Sequence, residues 1–274
     1  MRPVASPYLL GEDGHVLSVA KETTRENVNV EETKWWSKLG LVASILAVVL
    51  LFASPLGYKY GVAELMPSFA SLLLALVIAV LVLLGGGMMA IVAQRGGLQR
   101  DRNMLLVALV ISLGPLLAMG PTMLKVGSVP GIHDISTDTQ TPPTFDVVVG
   151  LRVDAVNPLE YGAGLESAAA LAGMQRKAYP QIKSLTSSLA PSDAVARAAV
   201  VMAEQGLEVV NESVQDGRVE AVFTSFWFGF KDDVVVRVKP TQAGSLIDIR
   251  SVSRVGISDL GANAARIDRI LSAF

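Results

Sequence analysis

Three long apolar blocks, each free of charged residues, lie within residues 39–124 and constrain this chain more than any other feature. The first, LGLVASILAVVLLFASPLGY, runs from Leu39 to Tyr58. The second, SFASLLLALVIAVLVLLGGGMMAIVA, runs from Ser68 to Ala93, and the third, MLLVALVISLGPLLAMGPTML, from Met104 to Leu124. About 20 uncharged apolar residues in helical form cross the hydrocarbon core of a bilayer. Each block meets that length, so three transmembrane helices are expected. Composition agrees: apolar residues make up 51% and charged residues 18%, with mean hydropathy +0.47, too apolar for an ordinary soluble protein. The mostly polar residues 1–38 precede the first block, so a removable signal peptide is not expected. The chain thus divides into a polar tail (1–38), a three-helix membrane region (39–125) and a C-terminal domain (126–274).

Lysine and arginine near the span ends set the orientation. Lys21, Arg25, Lys34 and Lys38 flank the first span, and Arg95, Arg100 and Arg102 lie between the second and third. The other side carries only Lys59 and Lys125. This asymmetry predicts an inner-membrane protein with a cytoplasmic N-terminus and an extracytoplasmic, periplasmic C-terminal domain. Trp35 and Trp36 stand just before the first span, where aromatic side chains anchor a helix at the interface. Gly85–Gly87 would either unwind the second span or let helices pack closely through Gly86 and Ala90, and packing is the favoured reading. Gly114-Pro115 and Gly120-Pro121 are expected to kink or end the third span. No ionisable residue lies inside any block, which argues against a pump or ion-coupled transporter and leaves anchoring.

Residues 1–33 are polar, mixed in charge and without periodicity, which reads as a disordered tail with a possible short strand in ENVNVEET (26–33). The net charge of −2 gives no basic field for nucleic acid. Without cysteine there is no disulfide, thiolate catalysis or cysteine-ligated metal. His15 and His133 are far apart, so neither a metal site nor a cofactor is expected.

Residues 128–145 hold Gly, Pro, Asp, Ser and Thr at loop density and read as an extended strap. Residues 164–174 have weak helical character ended by Tyr179-Pro180, and residues 180–188 are ambiguous. A helix is expected over Pro191–Gln205, with proline in the first turn and Gly206 as its stop. Four strands follow at 207–214, 218–230, 232–240 and 245–253, the first two joined through an Asp216-Gly217 hairpin turn. A last helix spans Ser258–Ser272, capped by Ser258 or Asp259. The expected fold is α+β, with helices covering one face of an antiparallel sheet of about four strands.

Strand alternation gathers Arg237, Asp248, Arg250 and Glu220 on one face. They could form an anion or headgroup site, or an ion-pair ladder, which is the favoured reading. Phe226, Trp227, Phe228 and Phe230 form an aromatic run beside Lys231. Core packing is favoured for it, with Trp227, Phe228 and Phe230 as candidate contacts to a bilayer or a partner protein.

The segment GFKDDVVVRV (229–238), followed by IDIRSVSRVGISDLGANAARI (247–267), resembles the signature of domain-of-unknown-function family 1499. Members of that family show a hydrophobic-F-x-D-D segment, then RSxSRxGxSDLGxNxxRI. Every fixed position of the second pattern stands here: Arg250, Ser251, Ser253, Arg254, Gly256, Ser258, Asp259, Leu260, Gly261, Asn263, Arg266 and Ile267. Many members begin the domain with a Cys- and Ser-containing segment, whereas here the strap IHDISTDTQTPPTF has no cysteine. The resemblance implies an envelope or plastid-type association and no particular reaction.

Within that motif, Ser258 and Asp259 suit a helix cap, Gly256 a tight strand-to-helix turn and Gly261 close packing of the first helical turn. Arg250 and Arg254 would pair with Asp232, Asp233 or Asp259 in a buried network, or with helix N-terminal amides would build an anion pocket. The candidate ligand-binding residues are Arg237, Asp248, Arg250, Ser253, Arg254, Ser258, Asp259, Asn263 and Arg266. A catalytic set of Ser251, Ser253 or Ser258 with His133 and Asp134 or Asp138 is weak. Asp232 and Asp233, adjacent on a strand, point to opposite faces and cannot easily share a proton or metal. The functional expectation is a non-enzymatic, membrane-anchored envelope domain that binds a protein partner or a lipid-like or anionic ligand. The alternatives are an enzyme acting on envelope material at the arginine-rich junction, or a membrane assembly factor.

Overall fold

A computed structural model describes residues 32–153 and 155–274. The tail readings, including most of the 26–33 strand, lie outside those residues. Three helices are long and apolar enough to cross a membrane: α1 (Trp35–Lys59), a second helix over Leu65–Arg95, and α4 (Gln99–Lys125). The second consists of α2 (Leu65–Leu81), a π-helical turn (Val82–Gly86) and α3 (Gly87–Arg95). The helices meet through small side chains, with Ala47, Ala75, Ala79 and Ala108 fully buried. In lipid there is no hydrophobic drive between helices, so close approach of backbones supplies the contact. A Cβ on Gly86 would meet Leu109 at 3.5 Å, whereas Gly85 and Gly87 have open space there. Helical structure is retained across all three glycines, as a π turn in place of an unwound segment.

Two expectations for the third span change. Neither Gly-Pro pair ends α4, which runs through Pro115 and Pro121 to Lys125. The helix also begins earlier than the apolar block and takes in Asp101. That carboxylate is buried, and its Oδ1 accepts from the Lys34 amide at 2.7 Å and from the Ser37 hydroxyl. It thereby covers orphan donors at the start of α1, for which Lys34 offers no side-chain acceptor.

The C-terminal domain is α+β, with a sheet of six strands in place of the expected four, all pairings antiparallel. Its order is β1 (Asp134–Ser136), β6 (Gly244–Ser253), β5 (Lys231–Thr241), β4 (Arg218–Thr224) and β3 (Glu208–Ser213). The extra strand β2 (Leu185–Ser187) pairs with the first half of β6, and β1 with its second half. Strands of three residues are too short to show alternation, so the sequence leaves them inside a strap and an ambiguous stretch. Helices α5 (Ala168–Ala178), α6 (Pro191–Glu204) and α7 (Ala262–Ser272) complete the domain.

The apolar sheet face, with Val219, Val234, Val236, Ile247 and Ile249, packs on Val195, Ala198, Met202, Ile267 and Ile270 from α6 and α7. Residues 137–153 and 155–165, largely irregular, cover the opposite face, so the strap expected at 128–145 continues to residue 165. Gly217 closes the β3–β4 turn at φ +58°, where a Cβ would meet the Val238 carbonyl oxygen at 2.3 Å. Only glycine fits there.

The fourth-to-last and last elements also differ from expectation. β4 ends at Thr224, and residues 225–230 form a turn closed by the Ser225 amide to the Phe230 carbonyl at 2.8 Å and the Phe230 amide to Ser225 Oγ at 2.9 Å. α7 starts at Ala262, and its N-cap position is Gly261 at φ +84°, not Ser258 or Asp259.

Candidate functional site

The signature arginines sit on β6 and α7, where strand pleat sends them to both faces of the sheet. On the strap face, Arg250 donates through Nε and Nη2 to Asp134 at 2.9 and 2.8 Å. Its Nη1 and Nη2 also reach the Pro143 and Leu159 carbonyls at 3.2 and 2.7 Å. The guanidinium lies between the Phe145 and Tyr161 rings, 5.5 and 5.3 Å from their centroids. One buried side chain therefore clamps both ends of the strap to the sheet. Burial pushes the Asp134 carboxyl above the usual carboxylate range, with Arg250 opposing that rise. Burial also raises the Tyr161 phenol, whose oxygen is buried without a partner among the described residues.

Arg254 donates through Nε and Nη2 to Asp233 Oδ1 at 3.0 and 2.7 Å and through Nη1 to the Leu151 carbonyl at 2.6 Å. Arg152 from the strap joins the same carboxylate. Arg237 reaches Asp248 at 2.6 Å and Asp138 at 2.9 Å, and Ser184 donates to Asp248 at 2.5 Å. Burial would raise Asp138, but the Thr141 and Gln140 amides and Arg237 outweigh it and hold its carboxyl below the usual range. Glu220 on β4 is buried, and its carboxylate accepts the amides of Asp146, Val147 and Val148.

On the helix face Arg266 donates to Asp232 at 2.6 Å and to Ser251 at 2.9 Å. The Asn263 amide donates to Ser253 Oγ and to the His133 carbonyl, each at 2.9 Å. Asp232 and Asp233 do point to opposite faces, one to each network. Asp259 accepts the Gly261 and Asn263 amides at 2.8 Å each, so its carboxylate covers the start of α7 from two residues before the N-cap. Burial raises its carboxyl above the usual range. Ser258 donates to the Pro130 carbonyl at 3.2 Å and accepts the Leu260 amide.

All nine polar candidates are thus bonded inside the domain. Arg237 and Asp248 pair on the strap face, where Arg250 and Arg254 each take a different carboxylate; Ser253, Asn263 and Arg266 meet on the helix face, and Ser258 and Asp259 lie at the turn between β6 and α7. The His133 ring lies 3.4 Å from the Ile257 carbonyl, not beside a serine. Sequence reasoning missed Arg152 and Asn157 and assigned Asp134 and Asp138 only to a weak catalytic set. The available signal was electrostatic: buried arginines need carboxylates, and the strap sequence DISTD supplies two.

Two features remain open. A cleft of about 200 Å³ lies between the strap and α5, lined by Ile132, His133, Glu160, Leu165, Leu171 and Ile257 among others. It adjoins Asp134 but neither Arg250 nor Arg254 lines it. The second feature is the aromatic turn. Phe228 and Phe230 stack with centroids 4.8 Å apart, and Tyr58 and Phe69 from the first two spans lie 5.4 Å from Phe230 and Phe228 respectively. Trp227 lies 5.6 Å from Phe52, and Lys59 donates to the Phe226 carbonyl at 2.9 Å. Phe52 is seven residues before the end of α1, about 10 Å along the helix, so the turn reaches below the end of the span.

The strap and the β6–α7 turn belong to this same end of the domain. The Lys231 carbonyl accepts the Arg254 amide, and the Arg254 carbonyl accepts those of Val156 and Asn157. Val153, Val156 and Ile257 are 88%, 80% and 82% exposed. Phe226 and Trp227 in the neighbouring turn are exposed as well.

The model of the family "Protein of unknown function (DUF1499)" matches residues 134–274. The match begins at Asp134, the partner of Arg250. This chain belongs to the DUF1499 family. The DUF1499 region takes in the whole six-stranded sheet, and the three apolar helices precede it. No curated protein matches the chain.

Proposed function

We propose that this protein is a non-enzymatic, membrane-anchored binding module of the cell envelope, whose C-terminal domain rests on the bilayer and takes the apolar part of a lipid-like ligand in the cleft between strap and α5. The observation that carries this reading is an open cleft edged by exposed apolar side chains, Ile257 in its lining and Val156 next to it, in a domain whose signature polar side chains are all bonded internally. The cleft is smaller than the about 300–1,000 Å³ of whole-ligand sites, so it fits one chain or tail. His133 and Glu160 at its wall do not favour an anion. In this reading Arg250, Arg254 and Arg266 hold the strap and α7 in place, and the headgroup of a ligand stays outside. The serines support no catalytic role, since Ser251 donates to Asn263 at 2.6 Å and accepts from Arg266. The lysine and arginine asymmetry supports a cytoplasmic N-terminus and a periplasmic domain.

The test is a photo-crosslinking residue placed singly at Leu165 and at Ile257 in the full chain, irradiated in cells and analysed by mass spectrometry. The expected result is one lipid-like adduct at both positions. No adduct at either position, or the same adduct from a probe at Glu212 on the β3 edge, would overturn the reading. A protein adduct instead would favour a partner seated along the exposed ridge of Val147, Val149 and Leu151.

A further inference from the structure

A second opening lies at the other end of the helices. Gly87, Ala90, Ile91 and Gln94 share one face of α3, at spacings of three and four residues. Arg102, Leu106 and Leu109 share the facing side of α4. Because Gly87 and Ala90 are small, the two helices leave a groove of about 470 Å³ between them, and a Cβ on Gly87 would meet nothing within 4 Å. The walls are apolar. The mouth, beside the loop joining α3 to α4, holds Gln94, Arg95 and Arg102.

The arginines at that mouth have no carboxylate partner among the described residues. Arg102 donates to two neutral acceptors, Gln94 Oε1 at 2.6 Å and Asn103 Oδ1 at 2.9 and 3.1 Å. Among the described residues neither Arg95 nor Arg102 forms an ion pair. The carboxylate nearest in sequence, Asp101, is buried and turned toward the start of α1. Two guanidinium groups thus stand at membrane-interface height above an apolar channel. Guanidinium forks match phosphate oxygens in geometry and charge. The apolar walls below match an acyl chain.

We infer that this groove is a binding site for one anionic phospholipid, with an acyl chain between α3 and α4 and the phosphate held by Arg95 and Arg102. A zwitterionic lipid would fill the walls, but its own cation would oppose the mouth. A transmembrane helix of a partner would have to bring a carboxylate to the same height. The site is independent of the cleft in the C-terminal domain and stands whether or not that cleft binds anything.

The experiment is native mass spectrometry of the full chain released from nanodiscs of phosphatidylcholine with a minor share of phosphatidylglycerol. Wild type is expected to retain one phosphatidylglycerol in preference to phosphatidylcholine. The double variant Arg95→Gln/Arg102→Gln should lower that preference by roughly 25-fold, about fivefold for each charge. Arg95→Lys/Arg102→Lys should keep part of it. Gly87→Leu, which fills the channel and leaves the charges, should lower retention of both lipids. Equal retention by wild type, or a preference that survives the double glutamine variant, would overturn the site. Displacement by inorganic phosphate with equal potency in wild type and Gly87→Leu would show a free-anion site instead. A lipid-free dimer would show that a second copy fills the groove.

Discussion

Replacing Arg250 with alanine should release the strap while the rest of the sheet stays folded. The side chain makes two bonds to Asp134 and one each to the Pro143 and Leu159 carbonyls, all in a buried setting. Its loss strands a buried carboxylate, and breaking a buried pair from one side costs about 3–5 kcal/mol. Expressed as local opening, that is about a hundredfold to several thousandfold faster amide exchange. The assay is hydrogen–deuterium exchange with mass spectrometry on the full chain in detergent. The amides to follow are Thr137, bonded to the Ile249 carbonyl at 2.9 Å, and Val156 and Asn157, bonded to the Arg254 carbonyl at 2.9 Å each. Amides of β4 and α6 should change far less, because the apolar core on the other face is untouched. The pair Asp134→Leu/Arg250→Met removes both charges together and should restore most of the protection. Strap exchange in Arg250→Ala that rises by less than about threefold would refute the clamp.

Other expectations follow from the same geometry. Asp259 has a folded pKa raised by burial, so its protonated form is favoured in the native state. Its contribution is fully present below the unfolded carboxylate pKa and is lost as pH rises through the folded value. The melting temperature of wild type relative to Asp259→Asn should therefore rise as pH falls from neutral toward the carboxylate range, and a gap that shrinks on acidification would contradict this. Gly217→Ala should destabilise the domain by about 1–3 kcal/mol, because φ is +58° and the new Cβ meets a carbonyl oxygen, whereas Gly85→Ala, with open space in a helix, should leave the melting temperature unchanged or raise it. Asn263→Ala removes contacts to Ser251, Ser253 and the His133 carbonyl and should cost about 2–4 kcal/mol in chemical denaturation.

Much of this was legible in the sequence because the signal was periodic or cumulative. The spans follow from uncharged length, and β5 and β6 from alternation strong enough to assign faces, including the opposite directions of Asp232 and Asp233. The clamp was only half legible. Its arginines stand in a dense motif, but their partners Asp134 and Asp138 lie about a hundred residues upstream in a segment with no period, as does Arg152, which shares Asp233 with Arg254, and no local rule links them. Two boundaries misled for a physical reason. Ser258-Asp259 has the residue types of a cap, yet Leu260 at φ +52° and Gly261 at +84° postpone the helix. Phe226–Phe230 continues the aromatic pattern of a strand, yet Ser225 and Gly229 fold it into a turn.

The most direct test of a domain resting on the bilayer is the depth of Trp227. Trp35→Phe/Trp36→Phe leaves it as the sole tryptophan, and the full chain can be placed in liposomes whose acyl chains carry bromine at a shallow position. Strong quenching of Trp227 fluorescence, lost when Phe228→Ala and Phe230→Ala undock the turn from Tyr58 and Phe69, is the expected result. Emission that brominated lipids leave unchanged, while a water-soluble quencher reaches it freely, would contradict a domain seated in the membrane surface.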